Sequence, residues 1–330
     1  MDIEVFTNKI FNISSEDEFN YFALEAFMFQ YENNQVYNRW CRLMQKDISS
    51  IKHYTDIPFL PISFFKTHRV VSFSEQEIHF FKSSGTSGKD TSKHFIHNLD
   101  IYEKSFTNNF ESFFSKAEDY CFIALLPNYI SQGNSSLVYM IDNLIKKSRF
   151  KESGFFNENL GDVISTLKHC QENNIKTILF GVTYALLDLI DIENLELKNT
   201  IVFETGGMKG RRKEILREEL HKILCKGLGV DSIASEYGMC ELFSQAYSKK
   251  DGIFYTPSQM RVLIRDTYDP LSYVGENKTG GINVIDLANI YSCCFIETED
   301  LGKKHTDGGF EIMGRFDNSL TRGCNLMYEN

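Results

Sequence analysis

A chain of 330 residues with 35 basic and 45 acidic side chains has a formal charge of −10, which argues against a nucleic-acid partner, because binding to a phosphate backbone wants a basic face. The length suffices for one large domain or two packed lobes. Eight cysteines without a Cys-x-x-Cys pair, and an opening Met-Asp-Ile-Glu-Val-Phe without a basic-then-apolar leader pattern, fit a reduced cytoplasmic protein lacking disulfides and zinc knuckles.

In chain order, helices are expected over 19–31 and 36–45, within an N-terminal helical segment (1–60) that closes at Pro58 and Pro61. A strand over 78–81 runs into Phe81-Lys82-Ser83-Ser84-Gly85-Thr86-Ser87-Gly88-Lys89-Asp90-Thr91-Ser92, a stretch with six hydroxyls and two glycines. Gly85 and Gly88 let the backbone come close to a ligand, and Ser83, Ser84, Thr86 and Ser87 add donors beside the exposed amides, as a phosphate cradle requires. It is not a Walker A loop, because two residues separate the glycines and Asp90 follows Lys89. A flexible linker is the plainer alternative; the brevity, the lysines and the strand in front favour phosphate.

A second strand (120–126) ends at Pro127, and a polar turn (131–136) leads to a helix over 137–145. Then come a helix (160–171), a strand (177–180), a helix (184–190), a strand (200–203), the Gly206-Gly207 pair, and a helix over 211–226 with Ile215, Leu216, Leu220, Ile223 and Leu224 on one face. This alternation predicts an α/β, doubly wound sheet. Short strands at 260–264, 281–287, 293–297 and 310–313 predict a smaller β-rich lobe. The apolar stretches at 120–127 and 177–190 fall short of the roughly 20 residues that cross a bilayer, so no integral membrane contact is expected.

Four segments stand in order: the loop Ser83 to Lys89, Ser235-Glu236-Tyr237-Gly238-Met239-Cys240-Glu241, Glu297-Thr298-Glu299-Asp300-Leu301-Gly302, and Gly314-Arg315-Phe316-Asp317. Together they resemble the adenylate-forming enzymes. The resemblance implies ATP and Mg2+ as cofactors, with Ser83, Ser84, Gly85, Thr86, Ser87, Gly88 and Lys89 on the phosphates. Tyr237, Gly238, Gly206 and Gly207 would lie at the adenine, Glu241 on the metal, and Asp300 and Arg315 at the ribose. The fold implied is the N-terminal core of such an enzyme, with doubly wound mixed sheets and a smaller β-rich lobe. Residues 61–313 would form the core and 314–330 a hinge motif and tail.

Leu126-Pro127-x-Tyr129 with Ser135-Ser136-Leu137-x-Tyr139-Met140, Glu204-Thr205-Gly206-Gly207-Met208-Lys209-Gly210-Arg211-Arg212-Lys213-Glu214, Gln245-Ala246-Tyr247, and Arg322-Gly323-Cys324-Asn325-Leu326 narrow the match. They resemble the acyl-protein synthetases, the acid-activating component of the bacterial luminescence fatty-acid reductase (long-chain-fatty-acid luciferin-component ligase). The likeness runs from about Pro58 onward and is weakest over the N-terminal helices. It implies a long-chain fatty acid as substrate, transfer to Cys324, and an acyl-reductase subunit or acyl carrier protein as partner. The chain stops 13 residues after Asp317, so the full C-terminal lid domain and its lysine are expected to be missing, and Cys240 stands where the superfamily has Thr.

Each residue also has a plainer reading. Glu241 would be an exposed helix-start carboxylate, Asp300 the opening of a turn, Arg315 a salt-bridging hinge residue, and Gly206-Gly207 a tight turn. Cys324, with Arg322 beside it, suits a thiolate nucleophile, whereas free cysteines are usually packing residues. The 28 Phe and 16 Tyr are mostly core, and an acid pocket is sought near Tyr129, Ser135 and Tyr184. Three functions stay open: an acyl-protein synthetase using Cys324, an adenylating ligase that serves coenzyme A or a carrier protein directly, and a catalytically degenerate nucleotide-binding subunit.

Overall fold

The computed structural model describes residues 1–83, 91–126, 133–156, 159–206 and 215–316. The N-terminal segment folds as α1 (Ile3–Lys9), α2 (Glu16–Asn33) and α3 (Gln35–Leu43). Ser15 caps α2 by accepting from the Glu18 amide, and the Glu18 carboxylate accepts from the Ser14 amide in return. The buried side of α2 carries Phe19, Phe22, Ala23, Ala26, Phe27 and Gln30, the three-and-four spacing of a core-facing helix. Buried Gln30 donates to the carbonyls of Asn289 and Ile290, each at 3.0 Å, and accepts from the Cys294 amide at 2.9 Å. Asn34 caps α3 and donates to the Ser292 carbonyl. The helical segment is thus hydrogen-bonded into the body of the protein.

After β1 (Leu60–Pro61) and the short α4 (Phe64–Thr67), β2 (His79–Lys82) and β3 (Lys93–Ile96) pair as an antiparallel hairpin around the Ser/Thr/Gly loop. Helix α5 (Leu99–Phe113) follows, an element the sequence reading did not anticipate. Its buried residues Ile101 and Tyr102, Ser105 and Phe106, Asn109 and Phe110 recur every four positions, a signal obscured by the serine and asparagine among them.

The predicted α/β alternation is present. β4 (Cys121–Leu125), α6 (Ser136–Lys147), β5 (Gly154–Phe155), α7 (Leu160–Glu172), β6 (Thr177–Val182), α8 (Thr183–Ile192), β7 (Thr200–Thr205), α9 (Arg217–Leu228), β8 (Ile233–Tyr237) and β9 (Ala246–Ser248) build a sheet of order β5-β4-β6-β7-β8-β9, parallel except for β9. β4 and β6 are buried along their whole length, as strands covered on both faces must be. Strand order reverses between β4 and β6, where open α/β sheets present a crevice at their carboxyl ends. Helix α9 starts at Arg217, with Ile215 and Leu216 ahead of it, and positions 211–214 of the expected helix lie outside the described residues. Leu216 and Ile223 are exposed, while Leu220, Leu224 and Leu228 carry the packing.

The remaining chain forms a second sheet. β10 (Ile253–Phe254), β11 (Met260–Arg265), β12 (Thr279–Asp286), β13 (Phe295–Lys304) and β14 (Phe310–Arg315) lie in the order β10-β14-β13-β12-β11, with β1 parallel to β13. β13 is far longer than the 293–297 expected and carries Asp300 at mid-strand, not at a turn. The boundaries placed at 60/61 and 313/314 run through β1 and β14. Among the described residues, no helix is long and apolar enough to cross a membrane.

Candidate active site

The base of the Ser/Thr/Gly loop is closed by two serines. The Ser83 amide donates to the Ser92 carbonyl at 3.1 Å, and the Ser92 amide donates to the Ser83 hydroxyl at 2.9 Å. The loop tip, with Ser84, Gly85, Thr86, Ser87, Gly88 and Lys89, lies outside the described residues. One position before Ser83, the Lys82 amide donates to the Asn134 carbonyl at 2.9 Å. Next to it, Ser135 is the N-cap of α6, accepting from the Val138 amide.

Ser92 also faces the second motif. Its buried hydroxyl hydrogen-bonds the Glu241 carboxyl, which is 4% exposed. Burial pushes the Glu241 pKa up against that bond, so ionising this carboxyl is costly unless a cation arrives. Glu241 is therefore not the exposed carboxylate of its plainer reading. Its backbone is anchored twice: Asn289 donates to the Glu241 carbonyl at 2.7 Å, and His94 Nδ1 donates to the Cys240 carbonyl at 2.8 Å. His94 is buried, and burial depresses its pKa to about 4, so it stays neutral. The following residues hang from Asp286, which accepts from the amides of Phe243 and Ser244 and from the Ser244 hydroxyl.

The third and fourth motifs meet the second through Tyr237. Its hydroxyl donates to Asp300 Oδ2 at 2.8 Å, and Arg315 Nε donates to Asp300 Oδ1 at 3.2 Å. Asp300 and Arg315 are cross-strand partners on β13 and β14; Asp300 is buried, whereas the Arg315 side chain is 79% exposed. Close by is Arg265, which the sequence reading missed. It donates to the carbonyls of Ile282 and Thr298 and to Asn283 Oδ1, and lies 3.5 Å from Glu297. The strand Met260–Arg265 carries two arginines and Arg265 is the buried one; a buried guanidinium needs charged or carbonyl partners.

At the carboxyl ends of β6 and β7, Thr183 donates to buried Glu204, and His221 lies 4.0 Å from it. Burial raises the Glu204 pKa, but His221, Thr183 and Arg217 outweigh it and hold the carboxyl below its usual range. Gly206 follows with φ of +81°, a left-handed conformation that favours glycine. Tyr184 is buried in the first turn of α8. Gly207, Tyr129 and Cys324 lie outside the described residues; the cysteines within them are all buried except Cys225, which is half-buried.

Glu241 offers the hard oxygen donor that magnesium takes, in the style of sites that combine one or two carboxylates with substrate phosphates. No group of three or more His, Cys, Asp or Glu residues suited to a metal ion occurs among the described residues.

Residues 1–107 match the family model described as LuxE, acyl-protein synthetase. The matched stretch is 107 of the 330 residues. The match takes in the N-terminal helices, where the resemblance was expected to be weakest. A long-chain-fatty-acid luciferin-component ligase from Photorhabdus luminescens is 39% identical over 67 residues, 20% of this chain and 57% of that protein. The chain thus covers little more than half of that relative. A 2-hydroxyisobutyryl-CoA ligase bound to its acyl adenylate is similar in structure, with a TM-score of 0.69 and 11% identity over 92% of this chain and 68% of that one. ATP-bound MatB of Rhodopseudomonas palustris has a TM-score of 0.56 and 16% identity over 74% of this chain and 49% of that one. The fold is that of the adenylate-forming ligases.

Proposed function

We propose that the chain activates a carboxylic acid with ATP as an acyl adenylate and then passes the acyl group to the thiol of Cys324. The observation that carries this reading is the Ser92 bridge, which hydrogen-bonds Ser83 on one side and Glu241 on the other. A phosphate loop and a metal-type carboxylate joined through the amide and the hydroxyl of one serine suit a bound triphosphate.

A carboxylate is a poor acyl donor, because its oxygen leaves badly. Attack of that oxygen on the α-phosphorus of ATP forms one P–O bond and breaks another, and pyrophosphate leaves with the electron pair. The Cys324 thiolate then attacks the acyl carbon; a C–S bond forms, the C–O bond to AMP breaks, and the thiol proton goes to solvent. The loop amides, Ser83, Ser84, Gly85, Thr86, Ser87, Gly88 and Lys89 hold the phosphates, where negative charge gathers in the transition state. Gly206, Gly207, Tyr237 and Gly238 hold the adenine, and Asp300 and Arg315 the ribose. Glu241 would hold Mg2+, which when bound neutralises charge on the departing pyrophosphate.

The relative's name favours a long-chain fatty acid, received in a pocket near Tyr129, Ser135 and Tyr184, and the resemblance to the acyl-protein synthetases implies a cytoplasmic acyl-reductase subunit or acyl carrier protein as the recipient. The test is incubation with labelled fatty acid, ATP and magnesium. Hydroxylamine-labile label on the protein, lost in Cys324→Ser and kept in Cys225→Ser, is expected. Acid-dependent pyrophosphate exchange without protein label overturns the Cys324 step, and the absence of exchange with every acid overturns adenylation.

A further inference from the structure

Glu236, one residue before Tyr237, has no part in the adenylate-forming scheme. Along β8, Tyr237 reaches Asp300 on the second sheet, and the adjacent Glu236 points to the other face of its strand. There its carboxyl lies near Tyr102 of α5 and Tyr247 of β9; burial raises the pKa of both phenols and the Glu236 charge adds to it, and Tyr247 is its cross-strand partner. The carboxyl is folded back over Gly238, where a Cβ would come within 2.1 Å of Glu236 Oε1. Any side chain at 238 would displace it, so the motif's glycine makes room for this carboxyl.

Glu236 is half-buried and has no hydrogen-bond or ion-pair partner among the described residues. A carboxyl drawn from water without a partner is costly, and burial pushes this one up to about 7. Two fully buried polar atoms beside it are also unpartnered: Tyr247 Oη, and Oε1 of Gln245, whose Cγ lies on the same side of Gly238. The Tyr102 hydroxyl donates to the carbonyl of Ser136, next to Ser135. Through Tyr102, the unpartnered carboxyl is thus linked to the Ser135-Ser136 turn, beside which the acid is expected.

We propose that Glu236 is a specificity-determining residue of the acid pocket, and that the preferred acid carries a hydroxyl group on its acyl chain, which this carboxyl hydrogen-bonds. The proposal rests on the adenylation reading. A carboxyl with no cation near it suits a neutral hydroxyl, which both donates and accepts, better than an unsubstituted alkyl chain, which would leave it unpaired.

The test is acid-dependent ATP–pyrophosphate exchange by the full chain with decanoic acid, its hydroxydecanoic isomers and the matching aminodecanoic acids. At least one hydroxy acid is expected to exceed decanoic acid in kcat/KM by about tenfold or more. Glu236→Gln, which keeps a donor and an acceptor, retains most of that ratio, and Glu236→Leu brings it to about one. A merely structural role would lower kcat/KM for all acids together and leave the ratio intact. Exchange with an unchanged ratio in Glu236→Leu, or a wild-type preference for the plain or amino acids, overturns this inference alone; no exchange with any acid takes the adenylation reading down with it.

Discussion

The hydroxyl of Tyr237 and the carboxylate of Asp300, 63 positions apart in the chain, lie 2.8 Å apart and tie the last residue of β8 to the middle of β13. Hydrogen bonds to a charged group contribute about 1.5–3 kcal/mol. Tyr237→Phe is expected to lower the urea unfolding free energy by roughly that amount and to raise KM for ATP, because Asp300 loses the donor that orients it. An unchanged KM would separate this bond from nucleotide binding.

Glu241 offers a test in which stability and activity move apart. Burial raises its pKa, so the ionised form weakens the fold, and Glu241→Gln removes that cost while still pairing with Ser92. Unfolding free energy is expected to hold or rise, while pyrophosphate exchange falls about a hundredfold or more. Loss of both together would make the carboxyl a structural residue.

His94 sets an acid limit. Its folded pKa is about 4 against an ordinary 6.5, so between these values the unfolded chain binds a proton that the folded one refuses. Its contribution is complete above pH 6.5 and is lost as pH falls toward 4, by on the order of 3 kcal/mol. Glu236 acts in the opposite sense: its carboxyl, pushed up to about 7, favours the folded state at low pH and loses that advantage as pH rises from about 4.5 to 7. The difference between wild type and His94→Asn, measured by denaturation across the range, isolates the histidine. A difference that does not change with pH would contradict its burial as a neutral ring.

Asp286 accepts four hydrogen bonds: from the amides of Phe243, Ser244 and Ala288 at 2.8, 2.8 and 3.2 Å, and from the Ser244 hydroxyl at 2.7 Å. Asp286→Ala leaves buried amides unsatisfied and is expected to cost about 3 kcal/mol or more. Hydrogen exchange should rise first over 241–245, the turn that carries Glu241. Uniform protection there would mean that the turn is held from elsewhere.

The strands of the parallel sheet were legible because β4, β6 and β7 are short apolar runs closed by turn residues. Helix α5 was not, since its buried face includes Ser105 and Asn109, which satisfy tertiary hydrogen bonds with Ser244 and the Gln245 carbonyl. Local pattern also could not tell that β13 runs on past Glu297, because its continuation through Asp300 depends on pairing with β12 and β14. At the site, the motif order singled out Glu241, Tyr237 and Asp300. His94, Arg265 and Glu236 escaped because their significance lies in burial and in distant partners.

The contacts of α2 bear on how the protein is made. Gln30 bonds the Cys294 amide across 264 residues, and Phe27 packs against Phe295 with ring centroids 6.4 Å apart. On the ribosome, Phe27 can meet Tyr37 and Phe19 can meet Tyr54 early, but the partners at Cys294 and Phe295 arrive only after most of these residues have been synthesised. The part of α2 around Phe27 and Gln30 therefore waits for its distant partners during translation, a state prone to aggregation, and its docking onto Cys294 and Phe295 belongs to the last stage of folding.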